Sequence, residues 1–255
     1  MTTSARCALL LALAASACAV DVLKLPPYIK ACSIHDPNLS DCALKSGKAA
    51  LPFILKGDKA YRVPPHDPLS ISQVKIDDPA QGLEGGLHLI LNDLKIYGLS
   101  HAVLESAKFD PKAKKFGWTL KVPQLALVSS YDMKGKMLML PIQGNGDSSI
   151  NMTDVIVKHE FDYELLKRGN GKHYIKVVDN KLTTTPAGMQ IRMENLFNGD
   201  KLLGETTNTF LNENWHLMEK DFGPSLSDAI GQATHQLMSG VMENVPFEEI
   251  LPEKV

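Results

Sequence analysis

The chain has 255 residues, 44% of them hydrophobic, 22% charged and 6% aromatic, with 27 basic against 29 acidic side chains and a formal net charge of -2. This is the balance of a globular protein of one or two domains, long enough to bury a sizeable core. It leaves no basic surplus to neutralise a polyphosphate, and no run of Lys or Arg makes a local one, so nucleic acid is excluded as an expected partner.

Segment 1–19 follows a different rule from the rest. Arg6 is its only charge, and Cys7 to Ala15 form a short apolar run ending at Ala17-Cys18-Ala19, the pattern of a secretory signal peptide. The run is too short to span a bilayer, which takes about 20 residues, and no later stretch approaches that length. The expectation is a signal peptide over 1–19, one exported domain over 20–255, and no stable membrane insertion.

Export changes the cysteine count, because Cys7 and Cys18 leave with the signal and only Cys32 and Cys42 remain. An even pair in an oxidising compartment suggests one disulfide, stapling a short loop for at most roughly 3 kcal/mol. Two free buried thiols are the alternative, and a zinc site around His35 lacks a fourth ligand of suitable spacing. Asn38-Leu39-Ser40 and Asn151-Met152-Thr153 are N-glycosylation sequons, which places Asn38 and Asn151 on the surface if they are used.

Asn38 or Ser40 is placed to cap a helix running to about Ala50, where Pro52 ends or kinks it. After Pro64-Pro65 the period changes. From Leu69 to about Leu196 apolar residues recur every second position, as where Phe116, Trp118, Leu120 and Val122 alternate with Gly117, Thr119 and Lys121, the signature of half-buried strands. Similar segments run over 87–96, 124–131, 137–142, 153–165, 174–178 and 189–193. Asp110-Pro111, Lys134-Gly135 and Gly169-Asn170-Gly171 are read as the turns between them, which gives an antiparallel meander.

Pro224 and Ser225 open a helical pattern that runs to Asn244, with Asp228 completing a capping box. Its apolar residues, Phe222, Leu226, Ala229, Ile230, Ala233, Leu237, Met238, Val241 and Met242 among them, cover roughly 220° of the circumference. Asp228, Gln232, His235, Gln236, Ser239 and Glu243 form the polar strip that is left. A helix so broadly apolar must be covered on several sides, and a strongly curved sheet would do so. A sheet wound round one helix encloses a long apolar interior, suited to an elongated hydrophobic ligand.

The blocks NLFNGDKLLG (Asn195 to Gly204) and FLNENW (Phe210 to Trp215), with the terminal helix, resemble the insect takeout and haemolymph juvenile-hormone-binding protein family. So do PPHDPLSI (Pro64 to Ile71), LNDLKIYGLS (Leu91 to Ser100), LPIQGNG (Leu140 to Gly146) and the pair Cys32 and Cys42. The resemblance covers essentially the whole mature chain. It implies an α+β fold, a TULIP-like super-roll in which a long C-terminal helix is wrapped in a strongly curved antiparallel β-sheet around an internal hydrophobic tunnel. It also implies a secreted carrier of small hydrophobic ligands. Two departures separate the chain from the hormone carriers of that family. No cysteine follows Cys42, and Phe161 stands where their ligand-binding tyrosine is expected, which removes a hydroxyl that would hydrogen-bond a polar ligand group. The takeout branch is the better fit, with fatty-acid-like or terpenoid ligands.

The candidate lining residues are the inward members of the strands and the apolar face of the last helix: Phe116, Trp118, Leu120, Met137, Met139, Phe161, Met193, Ile230, Leu237, Met238 and Val241. Tyr163, Tyr131 and Thr119 are candidates for a polar contact to a ligand headgroup. The methionines suit a cavity that accepts several shapes, since their side chains are flexible and polarisable. Gly146-Asp147-Ser148-Ser149 resembles an esterase nucleophile segment, but the Asp and His pair that such enzymes carry near the C-terminus is absent. There is no G-x-S-x-G elbow, no H-E-x-x-H pair and no phosphate loop, and no nucleophile is paired with a base. The reading is a non-enzymatic carrier with no cofactor and no metal. The alternative is a secreted signalling protein that contacts a receptor or a membrane lipid, with ligand binding secondary.

Overall fold

The computed structural model describes residues 22–77, 86–137 and 140–255, so the expected signal peptide lies outside the described residues. Helix α1 (Leu39–Lys56) turns Leu39, Ser46 and Ala50 inward, spaced by two turns and then one along a single face. It does not end at Ala50: Pro52 lies inside it. A proline at this point removes the hydrogen bond to the Lys48 carbonyl, and both Lys48 and Pro52 are exposed, so water can take the freed acceptor. A disulfide joins Cys32 to Cys42 and ties the N-terminal segment to the first turns of α1.

Seven antiparallel strands form one sheet: β1 (Leu69–Asp77), β2 (His88–Tyr97), β3 (Val103–Asp110), β4 (Lys115–Met137), β5 (Leu140–Lys167), β6 (His173–Thr185) and β7 (Gly188–Met193). Asp110 closes the β3–β4 turn as expected, its Oδ1 accepting from the Lys112 and Ala113 amides at 3.0 and 2.9 Å. The expected segments 124–131 and 153–165 are stretches of the long strands β4 and β5. The expected segment 137–142 is not one strand: Met137 ends β4 and Leu140 to Ile142 open β5, with Met137 paired to Leu140. Lys134-Gly135 is no turn either, for it is paired with Gln143 and Ile142. Gly135 serves a close approach instead, because a Cβ there would lie 2.1 Å from the Gly86 carbonyl oxygen.

The two long strands each change partner midway. β4 pairs with β3 over its first part, up to Lys121, and with β2 from Ala126 onward. Pro123, which has no amide hydrogen to give a neighbour, falls in the gap between the two partners. On β5 the first part pairs with β7 up to Thr153 and the second with β6 from Ile156, with Asp154 between them at φ 47°. The sheet thus splits into a half backed by β1, β2 and β7 and a half backed by β3 and β6.

Helix α2 (Lys201–Glu213) is followed directly by α3 (Trp215–Met242) and then by the short α4 (Phe247–Ile250). The terminal helix therefore starts ten residues earlier than Ser225, and Pro224 is interior to it. The arrangement repeats that of α1, since Pro224 and the Lys220 four residues before it are both exposed. The sheet curls round α3, which packs against β6 and β1.

The sequence blocks are pinned to one another in pairs. Asp67 accepts hydrogen bonds from the Gly98 amide at 3.0 Å, the Ser100 amide at 2.9 Å and the Ser100 hydroxyl. Asn195 donates to the Asn145 carbonyl at 2.8 Å, and the Glu194 carbonyl crowds Gly146, where a Cβ would come within 2.6 Å. These contacts join PPHDPLSI to LNDLKIYGLS and LPIQGNG to NLFNGDKLLG.

Candidate functional site

An apolar cavity of about 280 Å³ lies between α1, α3 and the sheet. Its floor is the inward face of the β3–β6 half, with Phe116, Trp118 and Leu120 from β4, Val157 from β5 and Leu182 from β6. Ala50 and Ile54 of α1 cover one side, and Ile230 and Thr234 of α3 another. The strand alternation explains the floor, because residues 116, 118, 120 and 122 share one face. Gly47 lets α1 sit close to β3: a Cβ there would be 2.6 Å from Leu104 Cδ2.

Few polar side chains reach this wall, and most have partners. Ser46 Oγ donates to the Lys30 carbonyl at 2.8 Å and accepts from the Lys30 amide at 2.9 Å. Thr234 donates to the Ile230 carbonyl at 2.9 Å. Thr184 Oγ1 lies 2.9 Å from Ser227 Oγ. His66 is different: it is 2% exposed and neither ring nitrogen has a hydrogen-bond partner. Burial drives its pKa down to about 4, against a weaker upward pull from the Pro64 carbonyl, so the ring is neutral at physiological pH.

Beside Trp118 on the same face of the sheet, His159 is fully buried. Its Nε2 donates to Asn180 Oδ1 at 3.1 Å, its Nδ1 is 3.4 Å from Thr234 Oγ1, and the Trp118 ring stands edge-on to it at 5.1 Å. Burial lowers its pKa to about 4, and His235 lowers it further, although the Asn180 bond opposes both.

A second, smaller cavity of about 80 Å³ is backed by the other half of the sheet and covered by α2 and the first half of α3. Four methionines line it: Met152, Met189, Met193 and Met218. Thr184 borders both cavities, so the Thr184–Ser227 pair is part of the partition between them.

Of the candidate lining residues, the structure gathers Phe116, Trp118, Leu120 and Ile230 at the larger cavity and places Met193 at the smaller one. Phe161, Tyr163 and Val241 stand outside both walls. Phe161 is stacked between Phe116 and His159, with ring centroids 4.4 and 3.8 Å away, and Tyr163 packs against Phe109, Phe116 and Phe247. Burial pushes the Tyr163 phenol up to about 12, and its hydroxyl has no partner. Val241 packs against the cluster of Tyr61, Val63 and Val245. Met139 and the side chains of Met137, Leu237 and Met238 lie outside the described residues. Tyr131 spends its hydroxyl on the Glu194 carbonyl at 2.7 Å, and Thr119 lies on the outer face of the sheet opposite Lys158. Both sequon asparagines, Asn38 and Asn151, are exposed.

Sequence reasoning missed the contribution of α1, including Ala50 and Ile54, and it missed His66. The small residues Ala43, Gly47 and Ala50 at near-turn spacing were the available signal for α1, because they mark a helix face in close contact.

The fold and the cavity can be set beside known proteins. The family described as haemolymph juvenile hormone binding protein matches residues 8–252. The chain is 26% identical to the circadian clock-controlled protein daywake of Drosophila yakuba, over 88% of this chain and 87% of that one. It is also 26% identical to daywake of Drosophila melanogaster, over 93% and 92%. The crystal structure of Takeout 1 from Epiphyas postvittana superposes with a TM-score of 0.78 at 26% identity, covering 88% of this chain and all of that one. With a curled antiparallel sheet, a long C-terminal helix and a match along nearly its full length, the chain belongs to the haemolymph juvenile hormone binding protein family.

Proposed function

We propose that the protein is a secreted, non-catalytic carrier that holds one elongated hydrophobic molecule, fatty-acid-like or terpenoid, in the cavity between α1, α3 and the sheet. The observation that carries this reading is the cavity itself, about 280 Å³ in volume and lined almost wholly by apolar side chains. Ligand pockets run from about 300 to 1,000 Å³ and are predominantly apolar, so this one suits a slender chain rather than a bulky ring system. Affinity would come chiefly from apolar area removed from water, at roughly 25 cal/mol per Å². Family membership and the apolar run at 7–15 support export, and the exposed sequons at Asn38 and Asn151 agree with a glycosylated protein. The absence of catalysis is favoured by the state of Ser148, which is buried with its Oγ 2.8 Å from Ser129 Oγ, and by the lack of a base beside it among the described residues.

Native mass spectrometry of protein purified from a secreting host, followed by solvent extraction, tests the reading. One long-chain or terpenoid mass per protein is expected. Ile230→Trp should abolish uptake of the fluorophore N-phenyl-1-naphthylamine while the protein stays folded, and Leu202→Ser, at an exposed position away from the cavity, should leave it unchanged. Uptake that survives Ile230→Trp would place the ligand elsewhere.

A further inference from the structure

One group in the cavity wall is unexplained by the packing of an empty protein. Ser46, Thr184 and Thr234 each have a partner inside the fold, whereas neither nitrogen of His66 makes a well-formed hydrogen bond, the nearby Pro64 carbonyl giving only a weak contact, although the side chain is 2% exposed. A buried polar group left unpaired destabilises the state that contains it, so His66 is a standing penalty in the ligand-free protein. The backbone that carries the ring is held from outside the cavity, since the His66 amide donates to the Leu55 carbonyl at 3.0 Å and the next residue, Asp67, is anchored to Gly98 and Ser100. An imidazole buried in a mostly apolar wall, and short of hydrogen bonds, is placed to receive a polar group from a bound molecule.

We propose that His66 is the headgroup anchor of the cavity and that the molecule it selects is an elongated apolar alcohol, an uncharged chain ending in a hydroxyl. This rests on the carrier reading and narrows it. The hydroxyl is favoured by donor and acceptor arithmetic. A neutral imidazole has one N–H and one bare nitrogen, and a hydroxyl can accept from the first or donate to the second, whichever tautomer is present. A ketone or ester carbonyl serves only the N–H. A carboxylate would need a charged partner, and burial holds this ring neutral. Among the described residues the cationic side chains bordering the cavity are Lys30 and Lys108, and both are exposed to water, where a pairing with a buried carboxylate would leave the anion poorly solvated. A hydrocarbon of the same length would fill the space and leave His66 unpaired.

The test is displacement of N-phenyl-1-naphthylamine from the full-length protein at pH 7 by three probes of one chain length: 1-tetradecanol, 1-chlorotetradecane and tetradecanoate. The parent protein should prefer the alcohol to the chloroalkane by about five- to tenfold, the worth of one net hydrogen bond. His66→Leu should erase that preference by weakening the alcohol alone, and His66→Gln, which keeps a donor and an acceptor, should retain part of it. Ligand-free His66→Leu should unfold at the same temperature as the parent or higher, which a histidine needed for packing would not allow. Equal displacement by alcohol and chloroalkane in the parent, a preference that persists in His66→Leu, or a parent that favours tetradecanoate would each overturn the proposal and leave the carrier reading standing. Folded parent protein that takes up no fluorophore at all would overturn the carrier reading, and the headgroup proposal with it.

Discussion

Asn208 of α2 treats Met193 of β7 as a neighbouring strand would: its Oδ1 accepts from the Met193 amide at 2.9 Å and its Nδ2 donates to the Met193 carbonyl at 2.9 Å. Asn212 repeats the pattern on Ile191, at 2.8 and 2.7 Å. Four helical residues rise about 6 Å and two strand residues about 6.6 Å, so the two asparagines fall in step with the alternate backbone groups of β7. The helix thereby covers an edge that would otherwise present unpaired amides and carbonyls.

Asn208→Leu is expected to lower stability by about 2–4 kcal/mol, because it strands a buried donor and a buried acceptor together. Asn208→Asp should cost at least as much, since its second oxygen replaces the donor and sets a buried carboxylate against the Met193 carbonyl. Thermal unfolding of the two variants against Asn212→Leu ranks them. Equal melting temperatures for the parent and Asn208→Leu would show that the pairing contributes nothing.

Thr184→Ala should extend the range of ligands upward in length. It removes the hydroxyl that holds Ser227 and opens the wall shared by the two cavities. A displacement series of straight-chain alcohols of increasing length should show its optimum shifted to longer chains in the variant. An unchanged optimum would mean that the partition is made by other residues.

Stability should fall as the pH is lowered from about 6.5 to about 4. His66 and His159 are both held near pKa 4 by burial, so between those limits the unfolded chain binds more protons than the folded one. Their contribution is complete above the unfolded value, and its loss is at most about 3 kcal/mol for each ring. Burial pushes the Asp67 carboxyl up, but hydrogen bonds from Ser100 and Gly98 outweigh it and leave the pKa depressed, so its loss belongs to the range below this window. Urea midpoints between pH 7.5 and pH 4.5 read the slope, and His66→Leu should make it shallower.

Two glycines of α3 should respond to alanine with opposite signs. At Gly223 a Cβ meets only the flexible end of Glu219, at 3.3 Å, so Gly223→Ala should stabilise the helix by up to about 1 kcal/mol. At Gly240 the Cβ would come within 2.4 Å of the Tyr61 carbonyl oxygen, and Gly240→Ala should destabilise by about 1–3 kcal/mol. Chemical denaturation of both variants tests the pair, and stabilisation at Gly240 would disprove the close approach.

The cavity floor was legible because Phe116, Trp118, Leu120 and Val122 alternate cleanly, and a period of two needs no tertiary information. The C-terminal helix was legible in its second half for the same reason, through its broad apolar arc. Its first half was hidden by Pro224 and Ser225, which together look like a helix start although they lie within α3. Helix α2 escaped because two of its inward positions are Asn208 and Asn212. Its buried face mixes Leu211 with these asparagines, which breaks the hydrophobic periodicity. Pro52 concealed the end of α1 in the way that Pro224 concealed the beginning of α3. His66 carries no local mark at all: it lies in the irregular stretch between α1 and β1, where no period of two or of 3.6 marks a residue as buried.

The exchange of partners at Pro123 and Asp154 gives the molecule two rooms with separate furniture. The larger cavity takes its strands mainly from the β3 and β6 side and the smaller one from the β1, β2 and β7 side. β5 contributes to both, and β4 runs through both halves of the sheet. A lengthened hairpin or a repacked strand on one side can therefore reshape one chamber without disturbing the register of the other.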